Sequence, residues 1–350
     1  MTSAVPQRRR RLSLGGARFP ASRTSVGAVV LALAGLLAGC TGSTTGTVTP
    51  GTGVEASAPT TGSPTSAGDP ATDKLASILA RGTLQLSTDP AYPPQSALVD
   101  GATRLAGTKC ASNQLTAAEV EGYDADTGKL VAERLRVEPC FVTPPWSEIT
   151  AGHWGDRWDI AWGSGALTEE RMTRLWVTQP YYSTPHDFFV PADSTTQDAS
   201  ELSGREVGAC AGCTQELYLK HELELPGETL EYVVEDPQVV TFDAEPPGLS
   251  ATAAGELAAF LCGEPVGMQA IEDGAALRKL EKPAYITQKT GYLDRESGLS
   301  QMAFAAAVDA ALAELHSDGT LKALSEQYFG VDYATAAGAF DMAPLAQVVE

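Results

Sequence analysis

Strand-like and helix-like stretches alternate from residue 82 to residue 328, which restricts the folded part of the chain to βα units in an α/β class. Residues 82–87 predict a short strand that ends at Asp89 and a Pro-rich turn. A helix is expected over 127–135 and a strand over 136–142, with buried strands over 158–162 and 187–190. A strand over 205–210 runs into a Gly turn and a helix over 214–221, and further strands are expected over 231–234 and 257–261, the latter after the small-residue stretch 252–255. Residues 301–316 read as an amphipathic helix and 321–328 as a shorter one.

The alternation starts only after a long preamble. Arg8, Arg9, Arg10 and Arg11 form a positive cluster, and residues 26–39 are an apolar run broken only by small residues. That run is shorter than the roughly 20 apolar residues a membrane-spanning helix needs, and it suits the apolar core of an export signal. It closes on Leu37-Ala38-Gly39-Cys40, which resembles the bacterial lipobox. The resemblance implies cleavage before Cys40, a diacylglycerol on its thiol and an extracytoplasmic chain held to the membrane. The arginine run leaves the general and the paired-arginine export routes both open. From Cys40 to residue 72 the chain is almost entirely Thr, Ser, Gly, Pro, Ala and Val, so it buries too little apolar surface to offset ordering and is expected to be a stalk. Its r.m.s. span is roughly 30 Å.

About 275 residues remain, enough for one large domain or two lobes. Six of the 24 basic residues precede Cys40, where there are no acids, which leaves 18 basic against 44 acidic residues, a net of −26. Nucleic-acid binding calls for a basic patch and is excluded as the main role. Five of the six cysteines follow Cys40. In an exported chain Cys110 and Cys140 are expected to bridge, and one pair is expected among Cys210, Cys213 and Cys262, with the choice open. The four histidines have no zinc-ligand spacing and there is no second Cys-x-x-Cys, so no metal or other cofactor is expected.

A series of short motifs then occurs in a fixed order. They are Thr88-Asp89-Pro90-Ala91-Tyr92-Pro93-Pro94, Gly122-Tyr123-Asp124-Ala125-Asp126, Trp146, Trp158-Asp159-Ile160-Ala161, Leu167-Thr168-Glu169-Glu170-Arg171 and Gln179-Pro180-Tyr181-Tyr182. Val207-Gly208, Gly212-Cys213-Thr214-Gln215-Glu216, Asp318-Gly319-Thr320-Leu321 and Tyr328-Phe329-Gly330 follow. In this order the chain resembles the family 3 solute-binding proteins, the extracytoplasmic receptors of polar amino acid ABC importers, over about residues 78–333. The resemblance implies a two-lobed periplasmic-binding-protein-like (type II) fold with the ligand cleft between the lobes. Lobe 1 would comprise 73–190 and 291–335 and lobe 2 residues 191–290, leaving 336–350 as a tail, with crossings near 190–193 and 283–293. It also implies a monomer that captures a small carboxylate-bearing polar solute by hinge closure and docks on a permease driven by an ATPase.

The residues fit that chemistry. Arg171 supplies a guanidinium, which holds carboxylate bidentately and stays charged when desolvated, although pairing with Glu169 or Glu170 on a solvated helix is the plainer alternative. Thr168 is placed to cap the helix that carries Arg171, and Thr214 opens a helix whose N–H groups would face the same carboxylate. Tyr92 and Trp146 are expected to form opposite walls, with Trp162 and Ser164 on the strand leading to Thr168.

Two positions depart from the resemblance. Receptors of this kind usually place an aspartate after the second-lobe strand to hold the α-ammonium; here that position is Gly263, with Glu264 next. Ala166 stands where a serine usually contacts the ligand. Either Glu264 takes over or the ligand lacks an ordinary α-amino group. An enzyme on the same fold, similar to the cyclohexadienyl dehydratases, would need an acid in the cleft, again Glu264. A sensing protein without a transport role is the third reading.

Overall fold

The computed structural model describes residues 68–347. The signal segment, Cys40 and most of the stalk lie outside the described residues. Asp73 caps the first helix, its carboxylate accepting from the Ala76 N–H at 2.7 Å. The first stretch of chain forms α1 (Lys74–Arg81), β1 (Thr83–Ser87), β2 (Ala91–Tyr92), β3 (Ser96–Leu98), β4 (Leu115–Thr116), β5 (Val120–Glu121), α2 (Tyr123–Arg134), β6 (Glu138–Val142), α3 (Trp146–Ala151), β7 (Ile160–Ala166), α4 (Glu169–Met172), β8 (Leu175–Val177) and β9 (Tyr182–Pro191). The second forms β10 (Glu206–Cys210), α5 (Thr214–Leu219), β11 (Gln238–Phe242), α6 (Glu245–Ala253), β12 (Ala259–Gly263), α7 (Glu264–Glu272), β13 (Leu277–Lys279) and β14 (Tyr285–Asp294). Three helices end the chain: α8 (Met302–Ser317), α9 (Thr320–Phe329) and α10 (Ala334–Gly338).

One continuous sheet carries both lobes in the order β11-β10-β12-β9-β14-β7-β1-β6-β4. The α/β expectation holds: β1 lies parallel to β6 and β7, and β10 parallel to β11 and β12. Two ten-residue strands, β9 and β14, run antiparallel through the middle. Along β9 the partner changes from β14, met by residues 182–186, to β12, met by residues 186–189. β14 pairs first with β9 and then, from Lys289 on, with β7 and β8.

Side-chain alternation builds the cores. In lobe 1, Leu84, Leu86, Phe141, Ile160 and Trp162 meet α2, α8 and α9 through Val131, Phe304, Val308 and Leu312, all buried. In lobe 2, Ala259 and Leu261 of β12 pack with Val207 and Ala209 on one side, while Phe260 and Cys262 join Phe189 and Leu249 on the other.

Several expected elements shift. α2 begins at Tyr123 rather than 127, because Asp124 and Asp126 place acids in its first turn, where the helix dipole favours them. β7 begins at Ile160 and runs to Ala166: Trp158 leaves the ladder to stack on Trp154 at 5.0 Å. No strand forms over 231–234. That stretch is pinned as a loop, with the Glu231 carbonyl accepting from the Tyr218 hydroxyl at 2.7 Å and the Tyr232 hydroxyl donating to the Leu223 carbonyl at 2.7 Å. The strand beside β10 is instead β11.

Cys110 and Cys140 are joined, with Cα atoms 5.4 Å apart, and the bridge ties the loop before β4 to β6. Closing a loop of this length restricts the unfolded chain by roughly 3–4 kcal/mol in the loop-entropy model. Replacing both cysteines by serine is therefore expected to lower the unfolding free energy by about that amount in a urea titration; a loss below about 1 kcal/mol would contradict it.

Candidate functional site

A cleft opens between the lobes, lined by residues at or after the ends of β1, β7, β10 and β11 and by one residue of β14. Lobe 1 contributes Tyr92, Trp146, Ser164 and Arg171 to its lining, lobe 2 contributes Thr214, Gln215 and Glu245, and β14 contributes Lys289 at its floor.

Arg171 is 3% exposed, on the four-residue helix α4. The Thr168 hydroxyl caps that helix by accepting from the Arg171 N–H at 3.2 Å. Thr168 is itself buried and is not part of the lining, so its role is to aim the arginine. The guanidinium donates to the Ala166 carbonyl at 3.3 Å, the Tyr292 hydroxyl at 3.1 Å and, across the cleft, the Gly212 carbonyl at 3.3 Å. Trp146 lies beneath it, with the guanidinium carbon 5.2 Å from the ring centroid. Among the described residues no carboxylate comes within ion-pair distance of Arg171. Glu170 pairs with Arg174 instead.

Ser164 lines the cleft, but its hydroxyl is engaged. It donates to Asp124 at 2.6 Å and lies 2.6 Å from the Tyr182 hydroxyl, while the Tyr181 hydroxyl donates to the same carboxylate at 2.9 Å. Asp124 is wholly buried, and burial pushes its pKa up to about 7 against the lowering effect of the Ser164 and Tyr181 hydrogen bonds. The folded state therefore holds this proton more tightly than the unfolded chain. The resulting stability is fully present below about pH 4 and is lost as pH rises through about 7. Asp124→Asn, which keeps one of the two acceptor oxygens and cannot ionise, should remove that part of the pH dependence. In paired melts the stability of the natural protein relative to the variant is expected to fall between pH 4 and 7; parallel curves would contradict this.

Two expected cleft residues lie elsewhere. Trp162 is fully buried in the lobe 1 core, stacked on Tyr181 at 4.8 Å. The space for its indole exists because Gly128 and Gly291 face it without side chains: a Cβ there would sit 3.1 Å and 2.7 Å from ring atoms. Glu264 turns away from the cleft lining, pairing with Lys279 at 3.0 Å and accepting from the Tyr333 hydroxyl at 2.5 Å. Lys279 also reaches the buried Asp187 at 3.4 Å, which accounts for Glu264's orientation toward β13. Of the second cysteine group, Cys210 and Cys213 are bonded and line the cleft, and Cys262 is a buried free thiol.

Lys289 and Glu245 also line the cleft, although neither belongs to the motifs quoted above. Lys289 is 5% exposed, and desolvation lowers its pKa to about 8, opposed by Glu245. Its ammonium lies 3.4 Å from His186 Nε2, and burial holds His186 well below its usual range, in the neutral form. Glu245 is 2% exposed at the start of α6, with a pKa raised by burial to about 7. The signals were present: Glu245-Pro246-Pro247 is a helix-start pattern, and Lys289 is a cation inside a strand otherwise fit for burial.

A sequence model of the bacterial extracellular solute-binding proteins, family 3, matches residues 84–331. The L-cystine-binding protein TcyJ of Escherichia coli is 24% identical over 260 residues, covering 74% of this chain and 86% of the relative. The histidine-binding periplasmic protein of Salmonella typhimurium is 26% identical over 254 residues, covering 71% and 88%. Among solved structures, the ancestral amino acid-binding protein AncCDT-1, a precursor of cyclohexadienyl dehydratase, superimposes with a TM-score of 0.60 at 21% identity, covering 73% of this chain and all of that one. At that identity the superposition speaks for the fold alone, which is the two-lobed arrangement described above.

Proposed function

Because the chain belongs to the bacterial extracellular solute-binding proteins of family 3, we propose that it is the capture subunit of an ABC importer for a small polar solute that carries a carboxylate. Its relatives TcyJ and the histidine-binding protein carry names that specify amino acid ligands, which supports an amino acid or a close analogue here.

The observation that carries this reading is Arg171. It is a buried guanidinium at the cleft with only carbonyl and hydroxyl acceptors, and among the described residues no acid neutralises it. An unpaired buried charge is costly to the fold, and an anionic ligand offsets that cost. A carboxylate can take both donor edges in the bidentate manner that guanidinium favours. Tyr92 and Trp146 provide walls for the rest of the solute. The lobes would close about β9 and β14, the two strands that change partners between them. Among the described residues no helix is long and apolar enough to cross a membrane. The lipobox-like Leu37-Ala38-Gly39-Cys40 supports attachment through lipid on Cys40.

Thermal melts of the full chain with amino acids, organic acids and amines test the solute class, because a ligand raises stability by RT ln(1 + [L]/Kd). Carboxylate-bearing compounds are expected to raise the melting temperature and simple amines are not. Stabilisation by amines alone would overturn the reading. For the anchor, Cys40→Ala should move the protein from the membrane fraction to the soluble fraction, and retention would refute lipidation. Glu264, the acid named for the dehydratase-like reading, faces Lys279 rather than the cleft and gives that reading no support.

A further inference from the structure

We infer that the ammonium of Lys289, at the floor of the cleft, receives a second carboxylate of the solute, which makes the captured class dicarboxylates: acidic amino acids and diacids of similar length. The inference rests on the solute-binding reading above and names the substrate class within it.

Lys289 meets the cleft from β14 and is 5% exposed. An ammonium has three N–H donors and no acceptor. Among the described residues the one acceptor within hydrogen-bond distance is His186 Nε2 at 3.4 Å, and that nitrogen also lies 2.9 Å from the Thr287 hydroxyl. At least two donors of Lys289 therefore lack a protein acceptor among the described residues, and no carboxylate there comes within 4 Å of the ammonium. A buried cation so placed is costly, and an anion brought in by a ligand offsets that cost.

The acceptors around Lys289 are already committed. Ala166, its partner across the β7–β14 ladder, gives its carbonyl to Arg171 and to the Tyr292 hydroxyl. Tyr182, its partner on β9, is engaged with Ser164, which donates to Asp124. Glu245, whose charge opposes the desolvation of Lys289, is held by Gln215 Nε2 at 2.7 Å, by the Tyr92 hydroxyl and by the Gly263 N–H. Burial raises both Asp124 and Glu245 to a pKa of about 7, so each is only partly ionised near neutrality. Lys289, lowered by desolvation to about 8, is mainly charged there.

Two cations thus converge on Ala166. Arg171 donates to its carbonyl at 3.3 Å, and Lys289 stands opposite it on the neighbouring strand. A solute with one carboxylate neutralises one of them. A dicarboxylate neutralises both, and its second carboxylate can accept from the uncommitted donors of Lys289 in charge-assisted hydrogen bonds. Asp89 and Asp243, which also line the cleft, are exposed, so solvent and salt screen their repulsion of such an anion.

The test uses the full-length protein and pairs of probes that differ only in the second carboxylate: glutamate and glutamine, aspartate and asparagine, 2-aminoadipate and its side-chain amide, glutarate and its monoamide. Melts identify the stabilising compounds and calorimetry measures their affinity at pH 6, where Lys289 is charged. At least one dicarboxylate is expected to bind tenfold or more tightly than its amide, with Lys289→Met erasing most of that ratio. Unliganded Lys289→Met should melt no lower than the natural protein at pH 6, where Asp124 and Glu245 are mainly protonated; this separates lost binding from lost folding. If every amide binds as tightly as its acid, or if Lys289→Met leaves the ratio intact, the assignment of Lys289 is overturned while solute capture stands. If no carboxylate-bearing compound binds, both fall.

Discussion

Arg171→Ala is expected to weaken solute binding by on the order of 10²–10³-fold, while leaving the unliganded fold at least as stable as before. A charged hydrogen bond contributes about 1.5–3 kcal/mol; two of them to one carboxylate, taken at the lower end of that range, amount to roughly 3–4 kcal/mol, with a factor of ten for each 1.4 kcal/mol. The fold is spared because the guanidinium is a buried charge with no ion-pair partner among the described residues: removing it removes a desolvation cost along with three hydrogen bonds to neutral acceptors. Arg171→Lys keeps the charge but not the planar fork, so it should fall between the two. Calorimetric titration with the best stabilising compound measures the first effect and a urea titration the second. Binding reduced less than fivefold in Arg171→Ala would remove the arginine from the site.

The largest effect on stability is expected at Asp159, outside the cleft lining and just before the strand that leads to it. Its carboxylate is 1% exposed and receives the Arg81 guanidinium, the Gln85 N–H at 2.8 Å and the Lys74 ammonium at 3.7 Å. Lys74 is itself 2% exposed, with the part-exposed Asp156 at 2.5 Å as its other partner. Asp159 thus fastens the end of α1 to the start of β7 and the middle of β1. Replacing it by alanine strips a buried cation of one counter-charge and leaves the Gln85 N–H unpaired, for which a loss of about 3–5 kcal/mol is the general expectation. Urea unfolding of Asp159→Ala measures it, and a loss under about 1 kcal/mol would show that Asp156 and solvent suffice for Lys74 and Arg81. Solute affinity per folded molecule should not change.

Much of the fold was legible because it rests on periodicity. β1, β10, α8 and α9 fall within a residue or two of the expected bounds, since each has an apolar face fixed by its neighbours. The failures have local causes. β2 to β5 are two- or three-residue strands, too short to show alternation. The Val233-Val234 pair resembles a strand, but tertiary hydrogen bonds pin its surroundings as a loop, and the imidazole of His221 lies 3.0 Å from the Val234 carbonyl. At the cleft, Arg171, Tyr92, Trp146 and Thr214 were legible because they sit at motifs near strand ends, and Ser164 because it lies on the strand that leads to Thr168. Trp162 misled because it shares the strand's alternation with Ser164. A φ of 56° at Ser164 puts that residue in the left-handed region and interrupts the alternation, so the two side chains part company. Glu245 could not be placed in the cleft without knowing that β11 precedes it and brings α6 against the end of β12.

The bridge between Cys210 and Cys213 joins these themes. It closes the Gly212 turn, whose carbonyl accepts from Arg171 across the cleft, and it forms part of the wall opposite Tyr92. The cysteine pair therefore forms part of the wall of the site.

Calorimetric titration of the full-length protein with the amino acid that most raises its melting temperature tests the central claim most directly. One solute is expected to bind per chain, with affinity reduced by two orders of magnitude or more in Arg171→Ala and unchanged in Asp159→Ala. Absence of saturable binding by any polar amino acid, or saturable binding indifferent to Arg171, would contradict the account.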